Sequence, residues 1–242
     1  MSSTYLRYEV IRTFRNRRFF MFSLAFPLII LLAVGGANRH AKLESIALPL
    51  YFMTGMAAYG AMMAVISSGA RISSERQLGW TRQVRITPLR TRTYFEAKVL
   101  SGYLMALLTI VVLYLAGSAL GVRLDARQWA IMTLLLVVGL VPFVLLGIMA
   151  GHLLKPDSVG PAVGGVTALF ALLSGAWGPL STGRFFVDVV KCIPSYWLVQ
   201  SGRVAFGGSG WPPAEAWIVI AVWSLVLARL AVLAYRRDTA RV

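Results

Sequence analysis

The sequence predicts an all-α integral membrane protein with six transmembrane helices. Apolar residues make up 58% of the 242 residues and charged residues only 14%, against about 45–50% and about 25% in a soluble domain. Mean hydropathy is +0.71. The apolar residues gather into six runs of roughly the 20 residues that cross a bilayer. Soluble globular and disordered classes are excluded by the same numbers.

Charge sets the orientation. Lys plus Arg number 24 and Asp plus Glu 9, a net charge of +15. In a soluble chain this balance points to nucleic acid. Here the basic residues lie mostly between apolar runs, so topology explains them and no nucleic acid is expected. The spans read as 19–36, 46–70, 99–120, 129–151, 158–178 and 214–235 of a single transmembrane domain, 1–242. With the N-terminus inside, the inner segments carry 16 Lys and Arg and the outer loops 7. That ratio, with an even number of spans, places both termini in the cytoplasm.

The arm before the first span, residues 1–18, reads as an amphipathic interfacial helix. Leu6, Val10 and Phe14 form one stripe, with Glu9, Arg12 and Asn16 roughly opposite. Arg17-Arg18-Phe19-Phe20 resembles a twin-arginine leader, but five more spans lie beyond it, and a basic anchor on the first helix is the simpler reading.

The loop at 71–98 is long for a helix–helix link, commonly 2–8 residues. Ser74 with Gln77 fits a capping box, as does Thr93 with Glu96 before the third span. Gly79 permits a break, Trp80 and Val84 form a short apolar face, and Pro88 forces Thr87 toward extended geometry. The loop therefore reads either as a short element that transmits force from a cytoplasmic partner or as a basic loop on lipid headgroups. The last outer segment, 179–213, holds apolar runs too short to span, which fits re-entrant or interfacial helices. Pro194 breaks it and Ser195 caps the second of its helices, with Tyr196 and Trp197 as interfacial aromatics.

Other features mark packing and bends. Gly55, Gly60, Gly147, Gly151 and Gly160 through Gly165 allow close helix approach, and Pro49, Pro142 and Pro161 bend spans. Tyr51, Met53, Met56, Met62 and Met63 read as ordinary packing before an adaptable cavity lining. Arg229 lies inside the sixth span and reads as a snorkelling cation before a contact to a neighbouring helix or anionic cargo.

Rival chemistries find little support. Cys192 is alone, so no intrachain disulfide framework forms, and one Cys with two His makes no zinc cluster. No metal site is expected. None of the four lysines follows a glycine, so the chain holds no P-loop. Gly207-Gly208-Ser209-Gly210 superficially suits a serine nucleophile, but His152 lies at the opposite membrane face and His40 in a short loop. Apart from Glu215, the spans carry no Asp or Glu, which argues against a proton-coupled carrier.

The chain resembles an ABC-2 type transporter permease, the membrane subunit of a bacterial ABC exporter. The resemblance runs from the basic amphipathic start through the six spans. Its most specific part is Ser74-Glu75-Arg76-Gln77-Leu78-Gly79-Trp80 running on to Thr87-Pro88-Leu89, with Trp80 where the family usually has Thr. Pro194-Ser195-Tyr196-Trp197-Leu198 resembles the family's outer segment.

The resemblance implies a multi-pass protein of the bacterial cytoplasmic (inner) membrane and outward movement of hydrophobic or amphipathic cargo: drug, lipid, polyketide or glycan. Loop 71–98 would dock on a separate cytoplasmic ABC ATPase subunit through Glu75, Arg76, Gly79, Trp80, Val84 and Pro88. ATP and magnesium would sit on that partner, so this chain is expected to bind no cofactor and to be no enzyme itself. A second permease subunit, identical or related, would complete the unit, with Pro194, Tyr196 and Trp197 in an outer gate. The alternative is a non-transporting membrane scaffold or assembly factor that recruits a cytoplasmic partner.

Overall fold

The computed structural model describes residues 3–14, 21–43, 46–79, 91–180, 183–204 and 211–239. Trp80, Val84 and Pro88 lie outside these residues, as do the second half of loop 71–98 up to residue 90 and Ser209.

The chain begins with α1 (Ser3–Phe14). Next comes α2 (Phe26–Ile30), flanked by π-helical turns Met21–Ala25 and Leu31–Gly35. A two-residue antiparallel pair, β1 (Lys42–Leu43) with β2 (Ile46–Ala47), leads into α3 (Leu48–Ala70). Beyond it lie α4 (Ile72–Gln77), α5 (Thr91–Ala119), α6 (Ala126–Gly139), α7 (Val141–Leu153) and α8 (Pro156–Leu173). The last elements are α9 (Arg184–Lys191), α10 (Pro194–Val204) and α11 (Ala214–Thr239). Among the described residues, five helical stretches are long and apolar enough to cross a membrane: Leu48–Gln77, Arg92–Ala119, Ala126–Leu153, Pro156–Leu173 and Ala214–Asp238. Ser23–Gly35 is apolar but shorter. The protein is an all-α membrane protein.

The architecture is organised around α3. Its sequence is apolar on every side, as in a membrane span, and 20 of its 23 residues are buried, so little of it faces lipid. Tyr51, Met53, Met56, Met62 and Met63 are part of this core. Small residues let neighbours reach the α3 backbone. A Cβ on Gly69 would meet the Gly147 carbonyl carbon of α7 at 2.5 Å, and one on Gly151 would meet Gly69 O at 2.5 Å. Gly60 does the same for Ser23 O at 2.5 Å, and Gly55 lies against the Ala176 carbonyl. Such contacts drive helix association where lipid removes the hydrophobic incentive. Among the described residues, Gly160, Gly164 and Gly165 meet nothing within 4 Å, so the glycine face of α8 makes no close approach.

Peripheral helices keep apolar faces exposed. Ile218, Val222, Leu225 and Leu233 of α11 and Leu169 and Leu172 of α8 are exposed, a pattern that suits lipid tails. Arg229 is also exposed on α11. Pro142 divides the fourth apolar run: α6 ends at Gly139 and α7 resumes at Val141. Pro49 sits in the first turn of α3, where its missing N–H is harmless.

Three capping expectations are corrected. Ser74 lies inside α4, whose N-cap is Arg71, because the chain leaves α3 through a single turn residue. Thr93 lies inside α5, which begins at Thr91, and Glu96 pairs with Arg92 one turn back at 2.8 Å. Ser195 lies in the first turn of α10, which starts at Pro194 itself. In each case the helix extends past the proposed cap.

Candidate functional site

At one end of the bundle, charged residues from five elements meet around α4. Helical register explains how. Tyr94 and Lys98 are four apart on α5 and share a face, as do Glu9 and Thr13 on α1. Consecutive residues Glu75 and Arg76 point about 100° apart around α4, so they engage different neighbours.

Glu75 is fully buried. Its Oε1 accepts from Lys98 Nζ at 2.5 Å and from Arg12 Nη1 at 2.8 Å, and its Oε2 accepts from Tyr94 Oη at 2.6 Å. Lys98, also buried, donates to Glu9 Oε1 at 2.6 Å. Arg71 lies 3.8 Å from Glu9 Oε1 and donates to Thr13 Oγ1 at 2.5 Å, and Thr13 donates to Glu9 O at 2.8 Å. Two carboxylates thus meet three cations, a net charge of +1, with Glu9, Glu75 and Lys98 buried and Arg12 at the exposed edge. An unpaired charge there would cost several kcal/mol (order of magnitude).

Arg76 turns the other way. Its Nη2 meets Asp238 Oδ1 of α11 at 2.7 Å, and its Nη1 donates to His152 O at 2.7 Å and Gly151 O at 3.3 Å. Ser73 Oγ donates to Leu154 O at 2.6 Å. These donors satisfy carbonyls that the end of α7 leaves without helical partners, and the cation sits at the negative pole of that helix. His152 Nδ1 lies 3.0 Å from Asp238 Oδ2, and its ring packs against Phe95 and Tyr235. Through two adjacent side chains, α4 is therefore tied to α1, α5, α7 and α11.

This geometry revises the part foreseen for Glu75 and Arg76. Both were expected to offer charge to a partner, yet the carboxylate of Glu75 is spent inside the chain and Arg76 holds α7 and α11. Gly79 takes φ +70°, a left-handed conformation that suits glycine and ends the α4 segment. The outward residues there are Gln77 and Leu78, and Leu78 is 73% exposed. On the arm, Glu9 and Thr13 face inward while Tyr8, Ile11 and Arg12 are exposed, and buried Lys98 takes the Glu9 carboxylate.

Lys98, Tyr94, Glu9 and Asp238 were not foreseen as members of this junction. A signal existed, since Asp and Glu number only nine among 24 basic residues. Each acid near a helix end is then a strong candidate partner for a cation.

At the opposite end, α9 and α10 fill the segment before α11. Trp197 is buried and donates from Nε1 to Lys191 O at 2.6 Å, with Tyr196 packed on it at 5.1 Å. Pro194 is buried at the start of α10. Leu198 lies against Gly139, at the middle of the Ala126–Leu153 stretch: a Cβ there would meet Leu198 Cδ1 at 2.8 Å. Arg203 stacks over the Tyr51 ring at 3.8 Å, and both donate to Gly175 O, at 2.8 Å and 3.0 Å. The structure brings Pro194, Tyr196 and Trp197 together, and separately Glu75, Arg76 and Gly79.

Residues 42–233 match the family model described as ABC-2 family transporter protein. The chain is also 24% identical over 206 residues to the Bacillus subtilis (strain 168) protein named "Putative transport permease YvfS", covering 84% of this chain and 81% of that one. With most of its length inside the family model, the chain belongs to the ABC-2 transporter family and is a transporter membrane subunit.

Proposed function

We propose that the chain is the permease half of an ATP-driven exporter of hydrophobic or amphipathic cargo in the bacterial cytoplasmic membrane. Family membership implies an ABC ATPase subunit as partner. In this reading the ATPase docks on the loop that leaves α4, with Trp80, Val84 and Pro88 among its contacts. ATP and magnesium stay on that subunit, and a second permease, identical or related, completes the assembly.

The observation that carries the reading is the double attachment of α4. Glu75 binds α1 and α5, and Arg76 binds α7 and α11. A push on the loop reaches α4, which continues from the buried α3 through one residue. The ionic ties then carry the displacement to four neighbouring helices as one body. Close-packed small-residue contacts along α3 transmit it with little give. At the far end, α9 and α10 act as a re-entrant outer segment in which Pro194, Tyr196 and Trp197 seal or open the exit. Both termini are cytoplasmic, the side to which the charge asymmetry assigns the ionic junction.

The test is affinity purification of tagged chain from its native host in mild detergent, followed by an ATP hydrolysis assay. A stoichiometric P-loop ATPase is the expected result. An intact, folded chain with no ATPase would overturn the reading in favour of a membrane scaffold.

A further inference from the structure

Away from the ionic junction, α5 and α6 flank an open cleft of about 660 Å³, within the range of pockets that hold small ligands, about 300–1,000 Å³. Its walls are Val111 and Leu115 of α5 and Leu134 and Val137 of α6. Its floor is the Tyr114–Trp129 ring pair, with centroids 4.6 Å apart. Leu115 and Leu134 are 66% and 55% exposed, so the cleft is open along its length to the surroundings of the helices. Beyond the cleft, Tyr103 Oη of α5 donates to Val137 O of α6 at 3.2 Å.

The other end reaches the turn between α5 and α6. Ala130, Leu134 and Val137 lie on one stripe of α6, and Arg127 is one turn further along the same stripe. Arg127 is exposed and makes no ion pair among the described residues, and Arg123 is exposed in the same turn. A cation at the mouth and an apolar trough running inward complement an amphiphile with an anionic head and a hydrocarbon chain. In a membrane, the phospholipid around the protein supplies that chemistry.

We propose that the α5/α6 cleft is a binding site for an anionic membrane phospholipid, with one acyl chain in the trough and the phosphate at Arg127. A helix of a second copy would not need the cation, and a neutral apolar molecule would leave it unused.

Native mass spectrometry of the detergent-purified chain, titrated with phosphatidylglycerol or phosphatidylcholine, tests this without any ATPase, so its failure leaves the exporter reading standing. Wild type is expected to retain phosphatidylglycerol about fivefold better, the effect of one basic side chain near a membrane surface. Arg127→Gln should erase the preference, Arg127→Lys should keep it, and Leu134→Trp should reduce retention of both lipids by filling the trough. Equal retention of the two lipids by wild type, or an unchanged preference in Arg127→Gln, overturns the proposal. So does a change of oligomeric mass in Leu134→Trp with lipid retention unaltered, which would assign the cleft to a second copy.

Discussion

Lys98 Nζ lies 2.5 Å from Glu75 Oε1, and neither side chain is more than 1% exposed. The two residues are 23 apart in sequence, on either side of the loop that leaves α4. Their pairing fixes the two ends of that loop against each other, and Glu9 brings α1 to the same ammonium at 2.6 Å.

Removing the ammonium should cost more than removing either carboxylate. Lys98→Met would leave Glu75 to the half-exposed Arg12 and Glu9 to Arg71 at 3.8 Å, with no buried cation between the two carboxylates, whereas Glu75→Gln leaves Lys98 with Glu9. We expect Lys98→Met to destabilise by about 3–5 kcal/mol and Glu75→Gln by less. Thermal unfolding in detergent measures both. The double variant should be less destabilised than the sum of the singles, as interacting sites require. Additive losses would show that the pair is not coupled.

The second tie predicts a local effect. Arg76→Ala leaves Asp238 with His152 alone and removes the donors to Gly151 O and His152 O, so the end of α11 should open more often. Charged hydrogen bonds of this kind contribute about 1.5–3 kcal/mol, so trypsin should cut after Arg236 or Arg237 at least about tenfold faster. Asp238→Asn should have a similar effect, and the double variant should add little. Unchanged cleavage would mean that α11 is held by packing alone.

Glycine contacts make a contrasting pair. Gly69→Ala places a methyl within 2.5 Å of the α7 backbone at Gly147 and Ile148, and overpacking of this sort costs about 1–3 kcal/mol. Gly164→Ala meets nothing within 4 Å and should be neutral or stabilise α8 by up to about 1 kcal/mol. Size-exclusion profiles of the two variants after heating give the comparison. Equal survival would sink the close-packing account of α3 and α7.

These particulars show which features the sequence made legible. Apolar runs, the break at Pro142 and the left-handed turn at Gly79 are local properties, and local properties can be read from composition and spacing. The ionic junction depends on tertiary pairing, which periodicity does not carry. Loop 71–98 looked solvent-exposed because Arg71, Glu75, Arg76, Arg92, Glu96 and Lys98 interrupt the hydropathy. Several of those charges instead neutralise one another, and α5 therefore begins at Thr91 inside a stretch that reads as loop. The same blindness hid the inward turn of Glu9, whose cation lies 89 residues away. On α8, small residues were legible as a packing face, but Gly160, Gly164 and Gly165 meet no neighbour among the described residues.

With Glu75 buried, the exposed residue next to α4 is the candidate contact in the proposed assembly. Leu78 comes directly after α4, is 73% exposed, and precedes the left-handed Gly79. An exposed leucine on the side where an ATPase would dock is a natural anchor, since a few well-placed apolar side chains carry most of an interface's energy. Leu78→Asp should weaken co-purification of the ATPase by at least about tenfold, an anchor being worth about 2 kcal/mol. Because Leu78 contributes no core contact, the stability of the permease should stay within about 0.5 kcal/mol of wild type. Glu75→Gln should show the reverse order, with stability falling first and association falling only through it. If Leu78→Asp binds the ATPase as wild type does, the docking surface lies elsewhere on the loop and α4 transmits force without touching the partner.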